Sequence, residues 1–373
     1  MKVVEVISDM NIGGAGVLLL NRMKNTDLNK YRTTVVVPKG SLLKERFESI
    51  GVRCIEADCR GDLSFSMGAV IEYMGILKRL KPDIVNAHSC LSARISAKLL
   101  GVPVKLCTRH CYFKDDKKRL LRLLVSKLSS SLSDGFIAVA DIVKKQMIEN
   151  GVPKQKIEVI INGAEPLELS EKAQRNELKH RLNISEGASV LGICARLEAC
   201  KGHEWFFEMM RTLVDDGETV IALVIGDGSR RDELERLGEQ YGISDNLRFV
   251  GFQQNVSPYM SIVDINVNCS VGTETSSLAL SEGMSIGKPA VVSDFGGNPY
   301  MVRHGKNGFV CDCYNSSQMA KYIKMLIHDR ELYASMSEAA LERFKEELNA
   351  KKMTQKTNLL YDSMCRYRLR ADP

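Results

Sequence analysis

The sequence predicts an α/β protein of two doubly wound domains facing one another across a cleft. Short runs rich in Val and Ile alternate with longer stretches of helical periodicity from end to end. Those runs are apolar throughout rather than alternating, the pattern of parallel strands covered by helices on both faces. They fall into two sets, in a chain of 373 residues that is long enough for two domains of about 150 to 200 residues each.

The first set reads "KVVEVIS", "TTVVVP", "VRCIEA", "DIVNAH", "VKLCTR", "GFIAVA" and "KIEVII". Residues 164–186, "AEPLELSEKAQRNELKHRLNISE", carry charge, a proline and no strand pattern, so they read as a linker with a connecting helix. The second set is "SVLGICARL", "TVIALVIG", "NLRFVGF", "DINVNC", "KPAVVSD" and "NGFVCD". From Ser316 onward the pattern is helical, and such a tail is long enough to cross back onto the first domain. The expected division is 1–163, a linker over 164–186, 187–350, and a returning helix over 351–373.

Composition narrows the function. Hydrophobic residues at 44% and charged residues at 26% describe a folded chain rather than a disordered one. A net charge of +6 is too small for a dedicated nucleic-acid binder, so no nucleic-acid partner is expected, but it suits an acidic ligand or an anionic surface. The eleven cysteines include no CxxC pair and mostly sit in apolar runs, as small buried hydrophobes of a reducing compartment do. Cys107, His110 and Cys111 lie close in sequence, as do Cys311 and Cys313, but no further ligand stands at metal-binding spacing, and no metal or other cofactor is expected. No apolar stretch reaches the roughly 18 residues of a membrane span, which leads to a cytoplasmic placement.

Four features stand where strands end, the place at which open parallel sheets bind ligands. "SDMNIGGAG" puts Gly13 and Gly14 after the first strand. They serve either a tight turn or backbone N–H groups bared for a phosphate or sugar. "ARLEACKG" offers Arg196 and Lys201, a fork and a point charge suited to a diphosphate, unless the loop is simply solvated. In "GTETSSLALSEG", Ser276 or Ser277 caps a helix, with Glu274 just before it and Glu282 in its second turn. The helix start offers N–H groups to a phosphate, and carboxylates accept paired hydroxyls, so the stretch describes a nucleotide sugar. The bland reading leaves Glu282 on a helix surface and Glu274 as a loop charge. The fourth feature is His88 and His110, each after a first-domain strand, structural or poised toward a sugar hydroxyl on the acceptor side.

Taken together, these residues resemble a retaining glycosyltransferase of the GT-B fold, in which both domains are Rossmann-like, and specifically the large family 4 type. The Glu-x7-Glu motif matches Glu274 and Glu282, and "GMSIGKPAVVSDFGGNP" follows where the family has a Gly-Lys-Pro strand and a Gly-Gly turn. The resemblance implies Glu282 on the donor ribose and Glu274 at the transferred sugar. It places Arg196 and Lys201 on the pyrophosphate, Gly226 of "VIGDGSRRDELERL" in the donor site, His110 near the donor hexose, and Gly13 and Gly14 in the N-terminal glycine loop. Thr275 and Ser276 stand where the family has Gly and a bulky apolar residue, Gly16 where it has Glu or Gln, and Tyr300 where it has an acid.

By that resemblance the reaction is metal-independent transfer of a hexose or N-acetylhexosamine from a nucleoside-diphosphate sugar, a UDP-sugar in preference to a GDP-sugar. The acceptor is a hydroxyl of a glycan or lipid-linked glycan, and the leaving phosphate takes its proton. Two other readings stay open: a nucleotide-sugar epimerase or hydrolase, since paired carboxylates also do acid–base work on sugars, and a non-catalytic nucleotide-sugar-binding scaffold. Residues 114–132, "KDDKKRLLRLLVSKLSSSL", spell a basic amphipathic helix, either packed on the core or resting on an anionic membrane surface at its inner face.

Overall fold

A computed structural model of the chain describes residues 1–59, 61, 63–111 and 129–371, with side chains to residue 366. The basic stretch read as lipid-facing therefore lies outside the described residues over 114–128. All thirteen expected strands form, and every pairing among them is parallel. The chain divides into two compact units, Met1–Ala164 with Ala350–Pro373, and Glu165–Asn349.

The first unit is built on β1 (Lys2–Ile7), β2 (Arg32–Pro38), β3 (Arg53–Ala57), β4 (Ile84–His88), β5 (Val104–Arg109), β6 (Gly135–Ala138) and β7 (Ile157–Val159), in the order β3-β2-β1-β4-β5-β6-β7. Its strands are apolar at successive positions because both faces are covered. Val4, Val6 and Val36 pack toward the helices Met67–Leu80 and Leu91–Leu99, while Val35 and Val37 pack toward Gly14–Lys24 and Leu43–Ser49. The helix Ala350–Ala371 packs against Gly14–Lys24, and Ala350 N donates to Ala164 O at 2.8 Å, the point where the chain re-enters this unit.

The second unit carries β8 (Ser189–Cys194), β9 (Val220–Ile225), β10 (Leu247–Gly251), β11 (Ile265–Asn268), β12 (Ala290–Ser293) and β13 (Gly308–Cys311), in the order β10-β9-β8-β11-β12-β13. In β9, Ala222 and Val224 enter one core cluster and Ile221, Leu223 and Ile225 the other, so all six residues of that strand are buried. The stretch expected to be a linker is part of this unit. Leu167, Leu178, Leu182 and Ile184 pack on the second cluster, Ser170 N donates to Ser261 Oγ at 3.0 Å, and only residue 164 falls on the other side of the division. The reason it reads as a connector is that its helix, Lys172–Arg181, buries a single residue, Leu178.

In each sheet the strand order reverses at one place, between β1 and β4 in the first and between β8 and β11 in the second. Loops leaving adjacent strands there go to opposite faces and open a crevice at the carboxyl ends.

Candidate active site

In the second unit the residues after β8 and β11 converge. Cys194, Ala195, Lys201, Asn268, Ser270 and Ser277 line one pocket at this switch point. Lys201 Nζ pairs with Glu274 Oε2 at 2.9 Å, and the same oxygen accepts from Ser270 Oγ at 3.0 Å and Asn268 Nδ2 at 3.3 Å. Glu274 is thus buried and tethered, not the solvated loop charge of the bland reading. Behind it, Asn298 Nδ2 donates to Ser293 Oγ at 3.0 Å and to Asn268 Oδ1 at 3.4 Å, which fixes the Asn268 amide.

Arg196 differs from Lys201. It is exposed and, among the described residues, no ion pair or side-chain hydrogen bond holds it. The loop that carries it is shaped by Gly226, whose φ of +139° and close approach to Ala195 O, 2.0 Å from where a Cβ would stand, leave no room for any other residue. The structure thus gives Gly226 a packing duty beneath Ala195.

The helix Leu278–Ser285 is capped by Ser277, whose hydroxyl accepts from Leu280 N, and no acid stands in its first turn. Ser276 Oγ is buried with no hydrogen-bond partner among the described residues, and Thr275 is half-buried beside it. Glu282 lies in the second turn. Its carboxyl has no protein partner among the described residues, and burial pushes it up from 4.5 to about 7. Burial, and then the Glu282 charge, also push the Cys194 thiol at the end of β8 up to about 12. The Gly-Gly turn braces this segment. Gly296 has a φ of +65°, and a Cβ there would stand 2.0 Å from Glu274 O. Gly296→Ala is expected to destabilise the protein by about 2–4 kcal/mol in urea denaturation, through left-handed strain and overpacking together.

Gly202 leads into the helix His203–Asp215, whose first residue, His203, is fully buried with both ring nitrogens unpartnered among the described residues. Burial, with the charges of Arg230 and Lys201, holds His203 down to about 4, so it is a neutral filler under the cationic loop.

In the first unit, Gly13 and Gly14 are exposed at the start of the helix Gly14–Lys24, which has no side-chain cap and no acid in its first turn. A Cβ on Gly14 would meet nothing and one on Gly13 only Asp9 Oδ2 at 3.9 Å, so nothing in the protein's own packing requires glycine at either place. Gly16 is different, since a Cβ there would strike Leu43 Cδ2 at 2.6 Å. His88 ends β4 and His110 follows β5. Their rings stack at 5.0 Å with His88 Nδ1 2.7 Å from His110 Nε2, and both line a pocket with Arg22, Asn86 and Asn162. Burial and the His88 charge hold His110 down to about 3.

Two families match in sequence. Residues 12–166 match the one described as "Glycosyltransferase Family 4", and residues 174–343 match "Glycosyl transferases group 1", so together they account for most of the chain. Among similar proteins, the N-acetyl-alpha-D-glucosaminyl L-malate synthase of Bacillus anthracis is 25% identical over 299 residues, 78% of this chain and 77% of the relative. The UDP-Gal:alpha-D-GlcNAc-diphosphoundecaprenol alpha-1,3-galactosyltransferase of Escherichia coli is 25% identical over 319 residues, 82% of each. Among solved structures, Anabaena HepE in complex with UDP superposes with a TM-score of 0.85 at 20% identity, covering 97% of this chain and all of that one. A glycosyltransferase from Rickettsia africae superposes at 0.84, with 16% identity and coverage of 97% and 98%.

The chain is a GT-B glycosyltransferase of the family 4 type.

Of the second-unit residues that the sequence singles out in this enzyme, the structure brings Lys201, Glu274 and Ser277 around one network and pocket, while Glu282 stands in the second turn of the helix that Ser277 caps. Asn268, Ser270 and Asn298 were missed, although "NCS" at the end of a strand and "GGNP" after a turn carried a signal. Glu5, Arg22 and Tyr361, which stand behind His88, were missed as well. Among the described residues no cluster of His, Cys, Asp and Glu is arranged to hold a metal ion, and no helix is long and apolar enough to cross a membrane.

Proposed function

We propose that the enzyme is a retaining, metal-independent hexosyltransferase that moves a hexose or N-acetylhexosamine from a UDP-sugar to a hydroxyl of a glycan or lipid-linked glycan. One observation carries this reading. Among the described residues, around the switch point of the second sheet stand an exposed cation with no ion pair, a tethered cation, an acid-free helix start and a half-buried carboxylate with no protein partner. A nucleoside diphosphate is complementary to that set: the phosphates take Arg196, Lys201 and the amides near Ser277, and the ribose hydroxyls donate to Glu282. Glu274, held beside Lys201, then lies next to the phosphate that bears the sugar, with Thr275 and Ser276 adjoining it. Lys201 and Arg196 stabilise the charge that grows on the leaving diphosphate, the work a metal does elsewhere.

In the first unit the bare Gly13–Gly14 helix start and His110 remain the candidate sugar contacts, whereas both ring nitrogens of His88 are engaged, by Glu5 at 3.1 Å and by His110 at 2.7 Å, which removes His88 as a contact to an acceptor hydroxyl. The preference for uracil rests on relatives: UDP-galactose names the E. coli protein, and HepE was crystallised with UDP and with UDP-glucose. An acceptor on a lipid carrier, as the name of the E. coli protein describes for that enzyme, would suit a cytoplasmic enzyme whose basic 114–132 stretch rests on anionic lipid.

The test is thermal stabilisation by UDP, GDP and panels of their sugars. A UDP-sugar at about 100 times its Kd should stabilise the protein by about 2.7 kcal/mol, with GDP-sugars weaker. If no nucleotide shifts the melting temperature, the proposal fails.

A further inference from the structure

The three donors on Glu274 all reach one oxygen, Oε2: Lys201 Nζ at 2.9 Å, Ser270 Oγ at 3.0 Å and Asn268 Nδ2 at 3.3 Å. Lys201, Asn268 and Ser270 also line the pocket at the switch point of the second sheet. The other oxygen, Oε1, has no protein partner among the described residues and keeps some contact with solvent. Glu274 therefore presents one bare acceptor, and whatever holds Oε2 decides where that acceptor points. Lys201 supplies charge but little direction, because an ammonium is a point charge with rotatable donors. Direction comes from the amide of Asn268 and the hydroxyl of Ser270.

Both are aimed from behind, by the end of β12 and the turn that follows it. Ser293 Oγ donates to Ser270 O at 2.6 Å, so its proton is committed and it accepts from Asn298 Nδ2 at 3.0 Å. The second hydrogen of that amide faces Asn268 Oδ1 at 3.4 Å, an oxygen that also accepts from Ser270 N at 3.0 Å. A backbone N–H can only donate, so Asn268 Oδ1 is fixed and its Nδ2 is left to donate to Glu274. No titratable group stands between Asn298 and these two donors, and each polarity traces to a backbone atom of Ser270. Asn298 is fully buried, yet its own Oδ1 has no partner among the described residues. A buried acceptor without a donor costs stability, so packing alone does not account for asparagine there. The same turn grips the Glu274 backbone, since Gly297 N donates to Glu274 O at 3.3 Å.

We propose that Asn298 is a positioning residue: through Asn268, and through Ser293 and Ser270, it holds Glu274 Oε2 to its donors and so turns Oε1 toward the sugar of the donor. The proposal rests on the reading of Glu274 as a contact to the transferred sugar, with a sugar hydroxyl donating to Oε1. Fully buried, Asn298 itself meets no ligand. Without its amide, Asn268 and Ser293 each lose a hydrogen-bond partner, and the Glu274 carboxylate is free to swing about the Lys201 ammonium.

Titration calorimetry of the full chain, with UDP and with the UDP-sugar that stabilises it most, tests this through the ratio of the two dissociation constants, which isolates the sugar's share of binding. In Asn298→Ala the UDP value should stay at that of the wild type, while the UDP-sugar should bind about tenfold more weakly, the scale of losing a hydrogen bond to a charged group. In Glu274→Ala the ratio should shift at least as far. Adding Asn298→Ala to Glu274→Ala should shift it no further, because no side chain is then left to aim. A folded Asn298→Ala with the wild-type ratio overturns the proposal, and so do two losses that multiply in the double variant, the mark of a merely structural residue. If Asn298→Ala does not fold, Asn298→Ser, whose hydroxyl stops a bond short of the amide nitrogen, should shift the ratio in the same direction and lose that effect in the Glu274→Ala background. A wild-type ratio in Glu274→Ala removes the reading of Glu274 as a sugar contact, whereas a shift there with Asn298→Ala unaffected removes only the positioning role.

Discussion

Lys201→Met is expected to lower kcat by about 10²- to 10³-fold, the usual cost of removing one preorganised charge that faces a developing oxyanion. The geometry adds a second consequence. Among the described residues Lys201 is the cation among three donors on Glu274 Oε2, so the variant leaves a buried carboxylate with Ser270 and Asn268 as its described donors. A loss of stability of about 2–4 kcal/mol should therefore accompany the loss of rate. Adding Glu274→Gln removes the orphaned charge and should restore most of the melting temperature while activity stays lost. Restored activity in the double variant would show that Lys201 serves only to neutralise Glu274. Arg196→Ala provides the contrast, since its side chain is exposed and holds no protein partner among the described residues: rate should fall with stability unchanged.

The reason Lys201 and Arg196 were legible in the sequence is positional. Strands buried on both faces are apolar at successive residues, so β8 and β11 announce their own ends, and the polar residues that follow stand where α/β sheets bind ligands. Glu274 and Glu282 were found the same way. Glu5 was not, because one carboxylate inside "KVVEVI" gives no sign of burial until its partners are known, and Tyr361 lies 356 positions away. Asn268 and Asn298 were hidden for a related reason, since an amide's role is set by what it touches. The helix Lys172–Arg181 was misread as a connector because the second sheet takes only Leu178 from it.

Glu282→Gln should make the unliganded protein more stable and the nucleotide complex weaker. Burial raises this carboxyl from 4.5 to about 7, so between those values the folded chain holds a proton that the unfolded chain has released. Stability then falls as pH rises through that window, by about 3 kcal/mol in all. The penalty is complete above pH 7 and absent below 4.5. Gln has nothing to deprotonate, so urea denaturation at pH 8 should show the variant more stable by up to about 3 kcal/mol, with the difference vanishing near pH 4. Binding has the opposite sign. Ribose hydroxyls donate to the ionised form, so UDP should bind more tightly as pH rises through 7 and should expel a proton from Glu282 when it binds below that. Charge-assisted hydrogen bonds of about 1.5–3 kcal/mol put the loss in Glu282→Gln at about 10- to 100-fold in Kd. Titration calorimetry in buffers of different ionisation heat reads both effects, and the difference between wild type and variant removes the protonation of UDP itself. A variant that binds UDP as tightly as wild type would mean that the raised carboxyl is a burial accident with no ribose to meet. One that is less stable at pH 8 would mean that the ionised carboxylate already has a partner in the folded protein.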